Sequence, residues 1–125
     1  MKSENYFISV LNKLGIPHVY EDDWYDFEVL GQKIEVKSCR VGVKCVSHGK
    51  QSIRMGRFDF TKEFNRDLQY QENIWVLFMV RHKEQFIILG LCHAKKLEKK
   101  RYIPLHHTRK LDLIDLEEWI EIYNK

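Results

Sequence analysis

The alternation of apolar and polar residues on either side of Gly31 constrains the fold more than any other feature of this 125-residue chain. From Tyr25 to Leu30, and again from Lys33 to Cys39, the two classes alternate in the pattern of a β-hairpin turning at Gly31. Tyr25, Phe27, Val29, Ile34 and Val36 form its apolar face, while Asp26, Glu28, Glu35 and Lys37 collect on the other. Successive strand side chains point to opposite faces, so an even change of register preserves this grouping and a one-residue slip drives charges into the core.

The rest of the chain supplies elements to pack on that hairpin. Ser3 is placed to cap a first helix whose apolar positions Phe7, Val10, Leu11 and Leu14 recur at helical spacing, with Gly15 and Pro17 ending it. Ser52 to Phe58 reads as a third strand, and Phe60, Phe64 and Leu68 as one stripe of a second helix. Ile74 to Val80 is an unbroken apolar run rich in β-formers, suited to a strand buried on both faces. A turn at His82-Lys83-Glu84 leads into a strand from Gln85 to Leu91. A short basic helix around Ala94 to Lys100 and an extended piece at Tyr102-Ile103-Pro104 follow, then a last helix with Asp115 as N-cap and Leu116, Trp119, Ile120 and Tyr123 as its stripe. The reading is an α/β chain forming one domain over residues 1–125, with a basic C-terminal extension from about residue 93.

Composition excludes several classes. Six glycines, two prolines and sixteen aromatics rule out collagen-like and disordered chains. The longest apolar run, Ile74 to Val80, is far short of the roughly 20 residues of a membrane helix. The N-terminus leads into an amphipathic pattern and not into a signal-peptide stretch, so a cytoplasmic location is expected. Cys39, Cys45 and Cys92 are an odd number without any Cys-x-x-Cys pair, which favours free thiols over structural zinc, even though His48 and His93 lie nearby in sequence.

The formal net charge is only +3, but it is unevenly distributed. Residues 1–35 carry three basic and seven acidic side chains. The 21 residues from Ser38 to Phe58 carry Arg40, Lys44, Lys50, Arg54 and Arg57 and no acid at all. Cys92 to Leu111 carries seven basic residues against Glu98, and the last stretch turns acidic again. One face meeting a polyanion would give this pattern, although for the later block a solvated helix face is an equal reading.

Asp26, Glu35 and Lys37 put two carboxylates and an ammonium on one patch of the hairpin. Two carboxylates held close repel each other unless a cation sits between them, and hard oxygen ligands suit Mg²⁺, with Mn²⁺ able to substitute. Such a group is suited to phosphodiester cleavage. The bland alternative is a set of cross-strand pairs on a solvated sheet face, each contributing about 0.2 to 1 kcal/mol.

Tyr25-Asp26-Phe27-Glu28-Val29 followed by Ile34-Glu35-Val36-Lys37-Ser38 resembles the signature of the PD-(D/E)xK nuclease superfamily, which includes restriction endonucleases and Holliday junction resolvases. Tyr25 stands where the eponymous proline would be, and Glu28 is an additional acid on the same face. The resemblance implies a restriction endonuclease-like core of order α-β-β-β-α-β, here with an extra strand and a C-terminal helix. It places Asp26 as the first acid, Glu35 as the second and Lys37 as the lysine, with the Val36 carbonyl as a further metal contact and Glu4 as the acid that some members carry on the first helix. An acid in a first helical turn is equally favoured by the helix dipole.

The expected function is a Mg²⁺-dependent DNA endonuclease, site-specific or structure-selective, with Arg40, Lys44, Lys50, Arg54 and Arg57 on the DNA phosphates. His48, His106 and His107 add phosphate contacts at most, and a homodimer is expected if both strands are cut. The alternative is a catalytically inactive DNA- or RNA-binding subunit on a nuclease-like scaffold.

Overall fold

A computed structural model of the protein describes residues 2–21, 25–60, 74–97 and 100–125. The hairpin forms with the parity its pattern demands. Strands β2 (Phe27–Val29) and β3 (Gln32–Arg40) pair antiparallel with Phe27 opposite Ile34, and Leu30 and Gly31 make the turn at positive φ. Phe27, Val29, Ile34 and Val36 are buried. A short strand β1 (His18–Tyr20), absent from the sequence-based reading, adds antiparallel to β2 and completes a three-stranded meander. It has no apolar alternation to announce it and lies at the sheet edge, with Val19 and Tyr20 exposed.

The segment from Ser52 to Phe58 does not form one strand of this sheet. It divides at Gly56 into two pieces. Strands β4 (Gly42–Ser47) and β5 (Lys50–Met55) make a separate two-stranded ribbon, and β6 (Arg57–Asp59) pairs elsewhere, with β9 (Tyr102–Pro104). The break has a steric cause, because a Cβ on Gly56 would lie 1.6 Å from the Arg40 carbonyl oxygen. The chain can pass this close to β3 only without a side chain.

Strand β7 (Ile74–His82) lies parallel to β3, with Glu35 opposite Val76 and Lys37 opposite Phe78, and β8 (Gln85–His93) pairs antiparallel to β7. The resulting sheet has the order β1-β2-β3-β7-β8. All seven residues of the apolar run are buried, consistent with a central strand covered on both faces. The stripe proposed for a second helix falls, beyond Phe60, on residues outside the described ones, as does Trp24.

Each sheet face has its own core. On one face, α1 (Ser3–Lys13) contributes Phe7 and Leu11 and the C-terminal helix α2 (Leu116–Tyr123) contributes Leu116 and Trp119, packed on Phe27, Ile34, Val36, Trp75 and Leu77. Ser3 is the first residue of α1 and not its cap. Its hydroxyl donates to Glu4 Oε2 at 3.3 Å, and Lys2 occupies the cap position. The far end closes as expected: Gly15, at φ 71°, donates to the Asn12 carbonyl at 3.1 Å, and Ile16 donates to that of Leu11 at 2.9 Å. Asp115 holds the N-cap position of α2 without a capping side-chain bond. On the other face, Val76, Phe78 and Val80 pack on Phe58, Phe60, Ala94, Leu97 and Ile103. The basic segment after β8 makes a 3₁₀ turn at Ala94–Leu97, and a second one follows β9 at Leu105–Lys110. The chain is thus a mixed α/β fold with a mixed sheet and few helices. Among the described residues no helix is long and apolar enough to cross a membrane.

Candidate active site

Asp26 stands immediately before β2. Its backbone N–H donates to the Ile34 carbonyl at 3.1 Å, one step out of the register that pairs Phe27 with Ile34. There the ladder ends and the side chain takes over, since the Val36 N–H donates to Asp26 Oδ2 at 2.7 Å. The N–H and C=O of one strand residue project to the same side, so the Val36 carbonyl points to the edge that Asp26 occupies.

Glu35 and Lys37, two residues apart, share the face of β3 opposite to Ile34 and Val36. This face is not the solvated one that the alternation alone implies. Strand β7 and the second core cover it, leaving Glu35 only 7% exposed. Lys37 lies beside it, its Nζ 5.1 Å from the ring centroid of the buried Phe60.

Burial raises the Glu35 carboxyl from its ordinary 4.5 to about 8, with the adjacent Asp26 charge as the next cause and the Lys37 ammonium opposing. Asp26 is raised as well, chiefly by burial, while the Val36 N–H and a hydrogen bond with Glu35 hold it down. The pair therefore holds a proton to higher pH than two free carboxyls would. Glu4, in the first turn of α1, is near enough to repel both charges. Among the described residues no three His, Cys, Asp or Glu side chains gather as a ready-made metal cluster. Glu28 is exposed and faces Lys33 across the hairpin.

The five basic residues expected on DNA are all exposed, but they do not share one face. Arg40 ends β3. Lys44 lies on one face of the ribbon, with Lys50 and Arg54 on the other. Arg57 is engaged within the protein, its Nε 3.2 Å from Asp59 Oδ1 and its guanidinium 4.7 Å from the Tyr102 ring centroid. Sequence reasoning overlooked Arg81, which the parallel pairing sets directly opposite Arg40. Both line a cavity of about 350 Å³ at the ends of β3 and β7, together with Lys83. Two like charges side by side destabilise a sheet unless an anion or carboxylate neutralises them, and Glu84, 3.6 Å from Arg81, does part of this. Their juxtaposition comes from strand pairing across 41 positions of sequence and leaves no local signal.

No family model, curated protein or solved structure matches this chain.

Proposed function

We propose that the protein is a metal-dependent DNA endonuclease with Asp26, Glu35 and Lys37 at its centre. One observation carries this reading. A buried carboxyl and a half-buried one, Glu35 and Asp26, are hydrogen-bonded side by side and both raised by burial, with an ammonium on the same face. An arrangement that costs folding energy in the isolated protein is suited to a cation, which relieves the same repulsion as the proton does. The donors also fit: Mg²⁺ needs only one or two carboxylates when it keeps several waters. Asp26, Glu35 and the Val36 carbonyl would hold the ion, with Glu4 beyond them and Mn²⁺ able to substitute. When bound, such an ion polarises a phosphodiester and acidifies an attacking water. Lys37 would orient that water and offset the charge gathering on the phosphate, and the hydrogen bond from Val36 would keep Asp26 aimed at the site. The helix α1, the antiparallel meander β1–β3 and the strand β7 parallel to β3 support the reading, while β4 to β6 are additional to the implied order and its second helix falls on residues outside the described ones.

The substrate class follows from the acid-free stretch beside the site. Arg40, Lys50 and Arg54 provide exposed charge for a phosphate backbone, and a pair of copies would serve to cut both strands of a duplex. The test is incubation of the purified protein with supercoiled plasmid, linear duplex, single strand and a four-way junction, in Mg²⁺ or Mn²⁺ and then in EDTA. Cleavage of at least one DNA is expected, lost in EDTA and lost in Glu35→Ala and Lys37→Ala while DNA binding persists. Cleavage that survives both substitutions would refute the site. DNA binding without any cleavage would leave a binding subunit on this scaffold.

A further inference from the structure

We infer that the β4–β5 ribbon is a reading head that enters the major groove of duplex DNA, with Lys44, Val46, Gln51 and Ile53 facing the bases. The inference rests on the proposed DNA-binding function and names the part of the chain that would select a sequence. In the ribbon register Lys44 faces Ile53 and Val46 faces Gln51, and directly opposed residues share a face. With Met55, opposite Gly42, that face carries three apolar side chains, one amide and one ammonium. Val46 is 70% exposed and Ile53 is 75% exposed, values at which a branched apolar side chain contributes nothing to a core. The opposite face holds Lys50, Ser52 and Arg54, the two cations being long enough to reach phosphates beside the groove.

Shape and charge both select a duplex. Six residues per strand span roughly 20 Å, and a two-stranded ribbon fits a major groove about 12 Å wide. Gln suits adenine edges, Lys suits guanine, and apolar groups suit the thymine methyl. The residues from Ser38 to Phe58 contain no acid, and Lys50 and Arg54 flank the face that carries Lys44, so the ribbon is complementary in charge to a polyanion. The ribbon is also well anchored. His48 and Gly49, at φ 53° and 75°, close its tip. At its base the Gly56 N–H donates to the Val41 carbonyl at 3.1 Å, and the Leu105 N–H donates to the Gly56 carbonyl at 2.9 Å. Its base is thereby tied to the end of β3, the strand that carries Glu35 and Lys37.

The test is selection from a random-sequence duplex library by the full-length protein in EDTA, where nothing is cut. Enrichment of a short sequence pattern is expected. Gln51→Ala combined with Ile53→Ser, both at exposed positions and checked for folding by circular dichroism, should reduce discrimination about tenfold or more with bulk DNA affinity nearly kept. Lys50→Ala combined with Arg54→Ala should weaken binding to all sequences and reduce the salt slope by about two. An absence of enrichment, or an unchanged pattern in the Gln51/Ile53 variant, would overturn the inference. So would a wild-type dimer that Ile53→Ser dissociates, or binding to anionic vesicles in preference to DNA. Plasmid cleavage in Mg²⁺ is scored separately: selective binding without cleavage removes the enzymatic reading and keeps the ribbon, and cleavage without selectivity does the reverse.

Discussion

At the scale of single residues, the behaviour of the site turns on the raised Glu35 carboxyl. Its carboxyl ordinarily titrates at 4.5 and in the folded chain at about 8, so between these values the folded state binds more protons than the unfolded one. Stability then falls as pH rises through this window: the contribution is full below 4.5 and lost above about 8. Glu35→Gln cannot ionise and still presents a donor to Asp26. In metal-free buffer it should be more stable than the wild type at pH 9 by on the order of 1–4 kcal/mol, with the difference gone by about pH 5, as urea melts at the two pH values would show. Lys37 acts in the opposite sense, since its charge lowers both carboxyls. Replacing it by Met should move the onset of Mn²⁺ binding to higher pH, measurable by titration calorimetry across a pH series. Arg57 makes a different case. Because it is already engaged with Asp59 and Tyr102, Arg57→Ala should leave the salt dependence of DNA binding nearly unchanged, whereas Arg54→Ala should reduce its slope by about one.

At the scale of elements, two glycines of the ribbon have different duties. Gly56 lies where a Cβ would overlap the backbone of Arg40, and neither β3 nor the ribbon can retreat without breaking its ladder. Gly56→Ala should cost on the order of 3 kcal/mol or more, enough to unfold much of the population at ambient temperature. Gly49 faces open space and needs only its positive φ, so Gly49→Ala should cost about 1 kcal/mol and leave the fold intact. Thermal melts of the two variants separate these outcomes. Equal, small losses in both would mean that the ribbon base is not locked to β3.

At the scale of the whole molecule, the two sheet faces divide the work. The face covered by α1 and α2 is a hydrophobic core, while the other combines a second core with Glu35 and Lys37 at its margin. On the proposed function, a divalent ion loaded at the site would displace the proton that the carboxyl pair holds, so binding and proton release would be linked. Calorimetry of Mn²⁺ binding at pH 7 in buffers of different ionisation heat should report about one proton released per ion, falling towards zero above pH 9. Release of none at pH 7 would show that the ion binds away from the carboxylate pair.

The hairpin and its chemistry were legible because they are local. A period of two, a turn at Gly31 and the short distance from Asp26 to Lys37 leave one parity that buries Phe27, Val29, Ile34 and Val36, and that parity puts Asp26, Glu35 and Lys37 together. The apolar run of β7 and the C-terminal end of α1 were legible for the same reason. Strand β1 was not, since three exposed or half-exposed edge residues carry no pattern. Nor was the division at Gly56, because the alternation from Ser52 to Phe58 runs on through a break caused by the distant Arg40 carbonyl. The sequence by itself determined which side chains share a face. Only the tertiary structure decided that Glu35 on that face is buried and its carboxyl raised, because strand β7 pairs beside it and Phe60 packs beside Lys37, both brought in from remote parts of the chain.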